Sequence, residues 1–189
     1  MDKEAINLKL ILEGCRQGNR SSQRRLYEHF FGYAMSLCLR YARHREEAEE
    51  VLNNAFLKVF TNLDKYDPAF PFRTWLRRIL INSAVDYFRA NQKYPVLLEL
   101  HTAPELSDDP LPLPALSPGE DVLPILQALS PAYRMVFNLS VMEGHSHDEI
   151  GEILGISASA SRSNLTRAKE KLREILLKKS PLLIRVDKR

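Results

Sequence analysis

With 189 residues, 44% of them hydrophobic, the chain can form one ordinary domain or two small ones and is too apolar to be disordered throughout. Its formal charge is only +3, and its two cysteines, Cys15 and Cys38, have neither metal-ligand spacing nor the density of an oxidised scaffold, so reduced structural thiols are expected. The opening MDKEAINLKLILEG lacks a signal-peptide layout and no apolar run approaches membrane-spanning length, so a soluble cytoplasmic protein with no membrane insertion is expected.

From about Leu8 to Lys93 the pattern is helical almost throughout. In EEAEEVLNNAFLKVFTNL, Ala48, Val51, Leu52, Ala55, Phe56, Val59 and Leu63 make one apolar face. The opposite stripe holds Glu46, Glu50, Asn53 and Leu57. An exposed leucine in a polar stripe fits a docking surface, and a solvated acidic face fits the same residues. DKYDPAFPF then breaks the helix with Pro68 and Pro71, and RTWLRRILINSAVDYFRANQK resumes it.

Seven of the 16 aromatic residues lie between Tyr66 and Tyr94, interleaved with Arg73, Arg77, Arg78, Arg89 and Lys93. Phe72 to Lys93 holds five basic residues and one acid. Aromatics stack on unpaired bases while cations hold the backbone, so this composition suits single-stranded nucleic acid. Trp75 shares a helical face with Ile79 and is expected in the core, which leaves the loop aromatics as the better base-contacting candidates.

Residues 95–121 hold six of the eleven prolines and six acids, with no Lys or Arg. Such proline density precludes helix or sheet and favours an extended tether. Two basic helical modules therefore flank an acidic connector.

The second module starts near Asp121, with Ser130-Pro131 opening the helix AYRMVFNLSVMEG. Ser146 and Glu149 form a capping-box pattern, which starts a helix at His147. Gly155 can take the left-handed conformation that stops it, Ile156 can tuck inward, and Ser157 can cap the next helix, giving the turn Gly155-Ile156-Ser157. Beyond the turn, Ala158, Ser161, Leu165, Ala168, Leu172 and Leu176 fall on one arc. Ser159, Ser163, Thr166 and Arg167 face outward, with Arg162 at the edge. Seven Lys/Arg against two Glu from Ser159 to Lys179 supply phosphate attraction, so the pair reads as a helix-turn-helix with its recognition helix second. An ordinary amphipathic helix with a basic solvated face is the plainer reading of that stretch alone.

Taken together, EEAEEVLNNAFLKVF, FPFRTWLRRILINSAVDYFR, LSPAYRMVFNLSVMEGHSHDEIGEILGIS and SRSNLTRAKEKLREIL resemble bacterial sigma factors of the extracytoplasmic-function (ECF) group, the minimal two-domain members of the sigma-70 family. The first resembles region 2.2, the second regions 2.3 and 2.4, and the last two region 4. The resemblance implies an all-α chain of two small helical domains: region 2 over 8–94, a flexible Pro-rich acidic linker over 95–120, and region 4 over 121–179.

It also implies the partners, which are core RNA polymerase, promoter DNA and an anti-sigma factor, with no cofactor, metal or catalytic residue. Polymerase binding falls on Glu46, Glu50, Asn53 and Asn54; the family usually has Gln and an acid at the last two. Recognition of the melted -10 element falls on Tyr66, Phe70, Phe72, Arg73, Arg77 and Asn82. Recognition of the duplex -35 element falls on Ser159, Arg162, Ser163, Thr166 and Arg167. Many relatives have GTVKSRL where this chain has SASRSNL, so Ser161 replaces an apolar residue and Asn164 an arginine. Two rivals are a stand-alone helix-turn-helix repressor or activator, which leaves the aromatic-basic segment unexplained, and a metal-dependent hydrolase built on His145, His147 and Glu149.

Overall fold

A computed structural model describes the backbone of residues 3–91 and 122–179, with side chains for 8–91 and 122–178. The expected linker over 95–120 lies outside the described residues, as do Lys93 and Tyr94. Among the described residues every regular element is helical. The chain divides into two compact units between Tyr87 and Phe88, in the last turn of a helix.

In the first unit, α1 (Lys3–Arg16) gives way to a turn at Gly18, whose φ of 73° suits glycine. Asn19 then caps α2 (Arg20–Tyr41) by accepting from the Ser22 amide at 3.0 Å. At the start of α3 (Arg45–Thr61), the Glu47 carboxylate accepts the Arg43 amide at 2.8 Å. The anticipated apolar face of α3 is the buried one: Ala48, Val51, Leu52, Ala55, Phe56 and Val59. It packs on α2, which buries Leu26, Phe30, Ala34, Met35, Leu37, Cys38 and Tyr41. A short 3-10 turn, Leu63–Lys65, adds Leu63.

The last helix of this unit, α4 (Phe72–Asn91), joins through large side chains. The Phe72 ring centre lies 5.1 Å from that of Phe30 and 5.3 Å from that of Tyr66, and Trp75 completes the group at 5.4 Å from Tyr66. Trp75, expected in the core, is half-buried, because it covers this aromatic cluster rather than filling it. Both cysteines are buried and free, and burial pushes the Cys38 thiol up to about 12 and raises Cys15, so both remain protonated packing residues.

The second unit runs through α5 (Leu123–Gln127), α6 (Pro131–Phe137), α7 (His147–Leu154) and α8 (Ala158–Lys179). Its core is Ile125, Leu126, Leu129, Phe137, Ala168, Leu172 and Leu176. Ser130 caps α6 and Pro131 opens it, as the sequence indicates. The helix does not continue regularly through AYRMVFNLSVMEG, however: it passes into a π turn, Asn138–Met142. There the buried Asn138 side chain donates to the Arg134 carbonyl at 2.9 Å, and the same carbonyl also accepts the Asn138 amide.

Arg134 is only 1% exposed. Its Nε donates to the Leu126 carbonyl at 3.0 Å, and Nη2 donates to those of Gln127 and Leu129 at 2.9 and 2.8 Å. The last carbonyls of a helix lack intrahelical partners, so one guanidinium satisfies the end of α5 and ties it to α6.

Candidate functional site

In the first unit two surfaces adjoin. On α3, Glu46, Glu50, Asn53 and Asn54 are all exposed, and Leu57 beside them is 63% exposed. Burial would have removed this stripe from any partner, and the core takes the opposite face instead. Asn53 Oδ1 accepts from the Tyr27 hydroxyl at 3.5 Å. The Glu46 carboxyl is held below its ordinary range by a backbone amide hydrogen bond and, further, by His44, whose Nδ1 lies 2.9 Å away. Burial, with the Glu50 and Glu47 carboxylates adding to it, pushes the Tyr87 phenol up.

Before α4, the chain forms a clamped loop. Asp67 Oδ1 accepts the Ala69 amide at 2.9 Å, the Phe70 amide donates to the Asp67 carbonyl at 3.2 Å, and the Tyr66 hydroxyl donates to the Phe70 carbonyl at 2.7 Å. The Pro71 carbonyl then accepts the Thr74 amide at 3.0 Å, starting α4. This closure leaves the Phe70 side chain 63% exposed at the tip. Tyr66 and Phe72, expected to face bases, are 8% and 3% exposed. Both belong to the aromatic cluster, in which Phe72 packs on Phe30 while Tyr66 and Trp75 pack on Phe72. Only Phe70 of the three expected loop aromatics offers a face to solvent.

The polar candidates on α4 fall on two sides. Successive residues turn by about 100°, which sets Asn82 about half a turn of azimuth from Arg73 and well away from Arg77. Asn82 is exposed and shares its stripe with exposed Arg78, four residues earlier, and with Asp86. Asp86 in turn pairs with Lys58 of α3 at 2.6 Å, so the Asn82 stripe adjoins the polar stripe of α3. Arg73 instead lies over the Tyr33 ring, 4.0 Å from its centre, and Arg77 is half-buried. Arg78 was not singled out as a site residue, although its i, i+4 relation to Asn82 was readable.

In the second unit the turn between helices follows its sequence closely. Ser146 and Glu149 complete a capping box, with the Ser146 amide donating to Glu149 Oε2 at 2.7 Å. Hydrogen bonds from the Ser146 backbone and side chain, then the His145 charge, hold the Glu149 carboxyl below its ordinary range. Gly155 ends α7 at φ 70°, and Ser157 Oγ accepts the Ala160 amide at 3.0 Å at the start of α8. Gly151 is needed for close approach, since a Cβ there would stand 2.8 Å from the Ile156 carbonyl oxygen.

On α8, Ser159 and Arg162 are exposed and Ser163, Thr166 and Arg167 half-buried, all on the side away from the core. The Thr166 hydroxyl donates to the Arg162 carbonyl at 3.2 Å. The inward arc differs from expectation: Ser161, Asn164, Ala168, Leu172 and Leu176 are buried, whereas Ala158 and Leu165 are half-buried. Because α6 and α7 both pack on α8, its covered face widens to include Asn164. Ser161 is 0% exposed, and its hydroxyl meets His147 Nδ1 at 2.9 Å. His145 faces Glu149 at 3.8 Å instead, and among the described residues no group of three or more His, Cys, Asp or Glu is placed to hold a metal ion.

Residues 26–94 match the family described as Sigma-70 region 2, and residues 120–172 match Sigma-70, region 4. The chain is similar to the RNA polymerase sigma factor CarQ of Myxococcus xanthus, at 31% identity over 87% of this chain and 95% of that protein. It is also similar to the ECF RNA polymerase sigma factor SigW of Bacillus subtilis, at 26% identity over 89% and 96%. A solved structure of the sigma factor RpoE in complex with the anti-sigma factor NepR, from Bartonella quintana, aligns over 87% of this chain and 98% of that one, with 18% identity and a TM-score of 0.45. A stand-alone regulator would need only the second match, and the chain carries both in sigma-factor order. Two helical units with matching region 2 and region 4 sequences, and a relative aligned along nearly its whole length, make this chain a member of the sigma-70 family of RNA polymerase sigma factors, in the ECF group.

Proposed function

We propose that the chain carries out promoter recognition for core RNA polymerase through three surfaces with distinct tasks. The exposed stripe Glu46, Glu50, Asn53, Asn54 and Leu57 docks on polymerase, its charges and amides around one apolar residue giving orientation and a desolvated centre. The clamped loop and α4 take the melted -10 element: Phe70 stacks on a flipped base, Asn82 reads a base edge, and Arg78 holds the strand backbone. The outer face of α8, with Ser159, Arg162, Ser163, Thr166 and Arg167, enters the duplex at the -35 element. An anti-sigma factor is the expected restraint on the free protein. Catalysis belongs to polymerase, so the chain needs no catalytic group or cofactor of its own, and it works in the cytoplasm with polymerase. No helix among the described residues is long and apolar enough to cross a membrane.

The observation that carries the -10 assignment is the exposed Phe70 on a loop closed by the Tyr66 hydroxyl. Stacking on an aromatic contributes about 1 to 3 kcal/mol per base, and a loop already closed loses little freedom on binding. The test is run-off transcription with core polymerase, combined with permanganate probing of unpaired thymines. Phe70→Ala is expected to reduce open complex by roughly tenfold from that stacking energy, while -35 duplex contacts persist. Asn82→Ala is expected to change base preference within the -10 element. Wild-type opening and base preference in both variants would remove the loop and Asn82 from the site.

A further inference from the structure

We infer that His147 is a positioning residue for the recognition helix, fixing how α8 is presented to the -35 duplex through its hydrogen bond to Ser161. The inference rests on the assignment of α8 to that element. Ser161 is fully enclosed between helices, and its hydroxyl lies 2.9 Å from His147 Nδ1. The hydroxyl can donate to a bare Nδ1 or accept from a protonated one, so a single geometry serves both ring tautomers. Enclosing a hydroxyl without a partner is costly, which makes the pair a condition of the packing.

Direction is what separates this contact from an apolar one. Hydrophobic contact is non-directional and tolerates small slides, whereas a hydrogen bond weakens steeply when its angle departs from linear. A polar latch across the seam of α7 and α8 therefore selects one rotation of α8. Arg162 follows Ser161 directly and Ser159 lies two residues before it, so that rotation also sets the outward face.

The base of the latch is itself held. His147 is the first residue of α7, and its neighbour Ser146 is locked to Glu149 by the capping box, with the Ser146 hydroxyl 2.9 Å from Glu149 Oε2. Midway along α7, Gly151 lies close against the turn, where a Cβ would stand 2.8 Å from the Ile156 oxygen and 3.6 Å from the Ala158 nitrogen. The supporting helix thus bears on the start of α8 at its first residue and again at its middle. No apolar side chain of similar size would give Ser161 a partner.

The test uses the full chain with core polymerase on a -35-dependent promoter and a panel of single-base -35 variants. Four proteins are compared with wild type: His147→Leu, His147→Asn, the double variant His147→Leu with Ser161→Val, and Arg162→Ala. His147→Leu is expected to lower -35 occupancy in footprints by roughly threefold to tenfold, the effect of one hydrogen bond. His147→Asn, whose amide falls near the place of Nδ1, is expected to restore it. The double variant is expected to regain thermal stability with an altered ranking of -35 bases, which a purely structural role would not produce. Should His147→Leu fail to fold, rescue by His147→Asn and the base ranking of the double variant still decide the question. An effect of Arg162→Ala alongside wild-type base ranking in the double variant, or no rescue by His147→Asn, would overturn the latch. Wild-type -35 use by Arg162→Ala would instead strike the assignment of α8 itself.

Discussion

Two phenylalanines two positions apart have opposite duties. Phe72 is 3% exposed in the aromatic cluster and Phe70 is 63% exposed. Phe72→Ala is expected to destabilise the first unit by about 3 to 5 kcal/mol, the cost of emptying a large buried site. Phe70→Ala is expected to change stability by less than about 0.5 kcal/mol, as for an exposed side chain. Urea unfolding of both variants checks this, and equal destabilisation would contradict the loop geometry. Arg134 makes a second contrast, between residue type and location. Arg134→Met keeps much of its volume but leaves the carbonyls of Leu126, Gln127 and Leu129 without this guanidinium, so a loss of at least about 3 kcal/mol is expected in the unfolding of the second unit. A midpoint within error of wild type would show that water replaces the guanidinium without cost.

At the scale of the element, the helix-turn-helix stands on its two ends. Gly155 sits at φ 70°, where an L side chain crowds its own backbone, so Gly155→Ala is expected to cost about 1 to 2 kcal/mol in thermal unfolding of the second unit. The other end is pH-dependent. Glu149 has a lowered carboxyl pKa because the ionised form accepts from Ser146 and faces His145. A depressed carboxylate contributes fully above the ordinary carboxylate range and loses its contribution as pH falls through the folded value. Hydrogen-exchange protection of the Ser146 amide, which donates to Glu149, is therefore expected to fall at acid pH, and to do so at neutral pH in Glu149→Ala. Protection that is flat with pH would remove the carboxylate from the cap. These ends were legible because a Ser-x-x-Glu pattern and a glycine after an apolar run each answer a local backbone need. The π turn after Phe137 was not legible, since no local pattern in AYRMVFNLSVMEG marks where the bonding widens.

For the whole molecule, the proposed division of contacts between melted and duplex DNA would make polymerase part of the binding site. Two modest contacts to separate DNA elements would hold the chain only weakly unless polymerase engages both at once. The chain alone is therefore expected to bind promoter duplex weakly, and core polymerase is expected to convert this into a stable open complex. Gel shifts with and without core enzyme, read with permanganate probing, measure it; tight specific binding by the chain alone would contradict the division of labour.

The sequence by itself determined the buried face of α3, the helix starts at Ser130 and Ser146, the three-residue turn and the family, because periodicity, capping and motif order are written in residues close along the chain. Tertiary structure alone decided which aromatics are free. Tyr66, Phe70 and Phe72 look alike in DKYDPAFPF, and only the ring of Phe30, fetched from α2, draws Phe72 inward while the Tyr66 hydroxyl turns back on the loop. The same holds for Arg134, whose partners are set only when the carbonyls of Leu126, Gln127 and Leu129 close around it. In the sequence, Ser161 stands on the inward arc in place of an apolar residue. With His147 brought to it from 14 residues away it becomes a specific contact, and burial and hydrogen-bond partnership are properties of the packed chain that no local pattern carries.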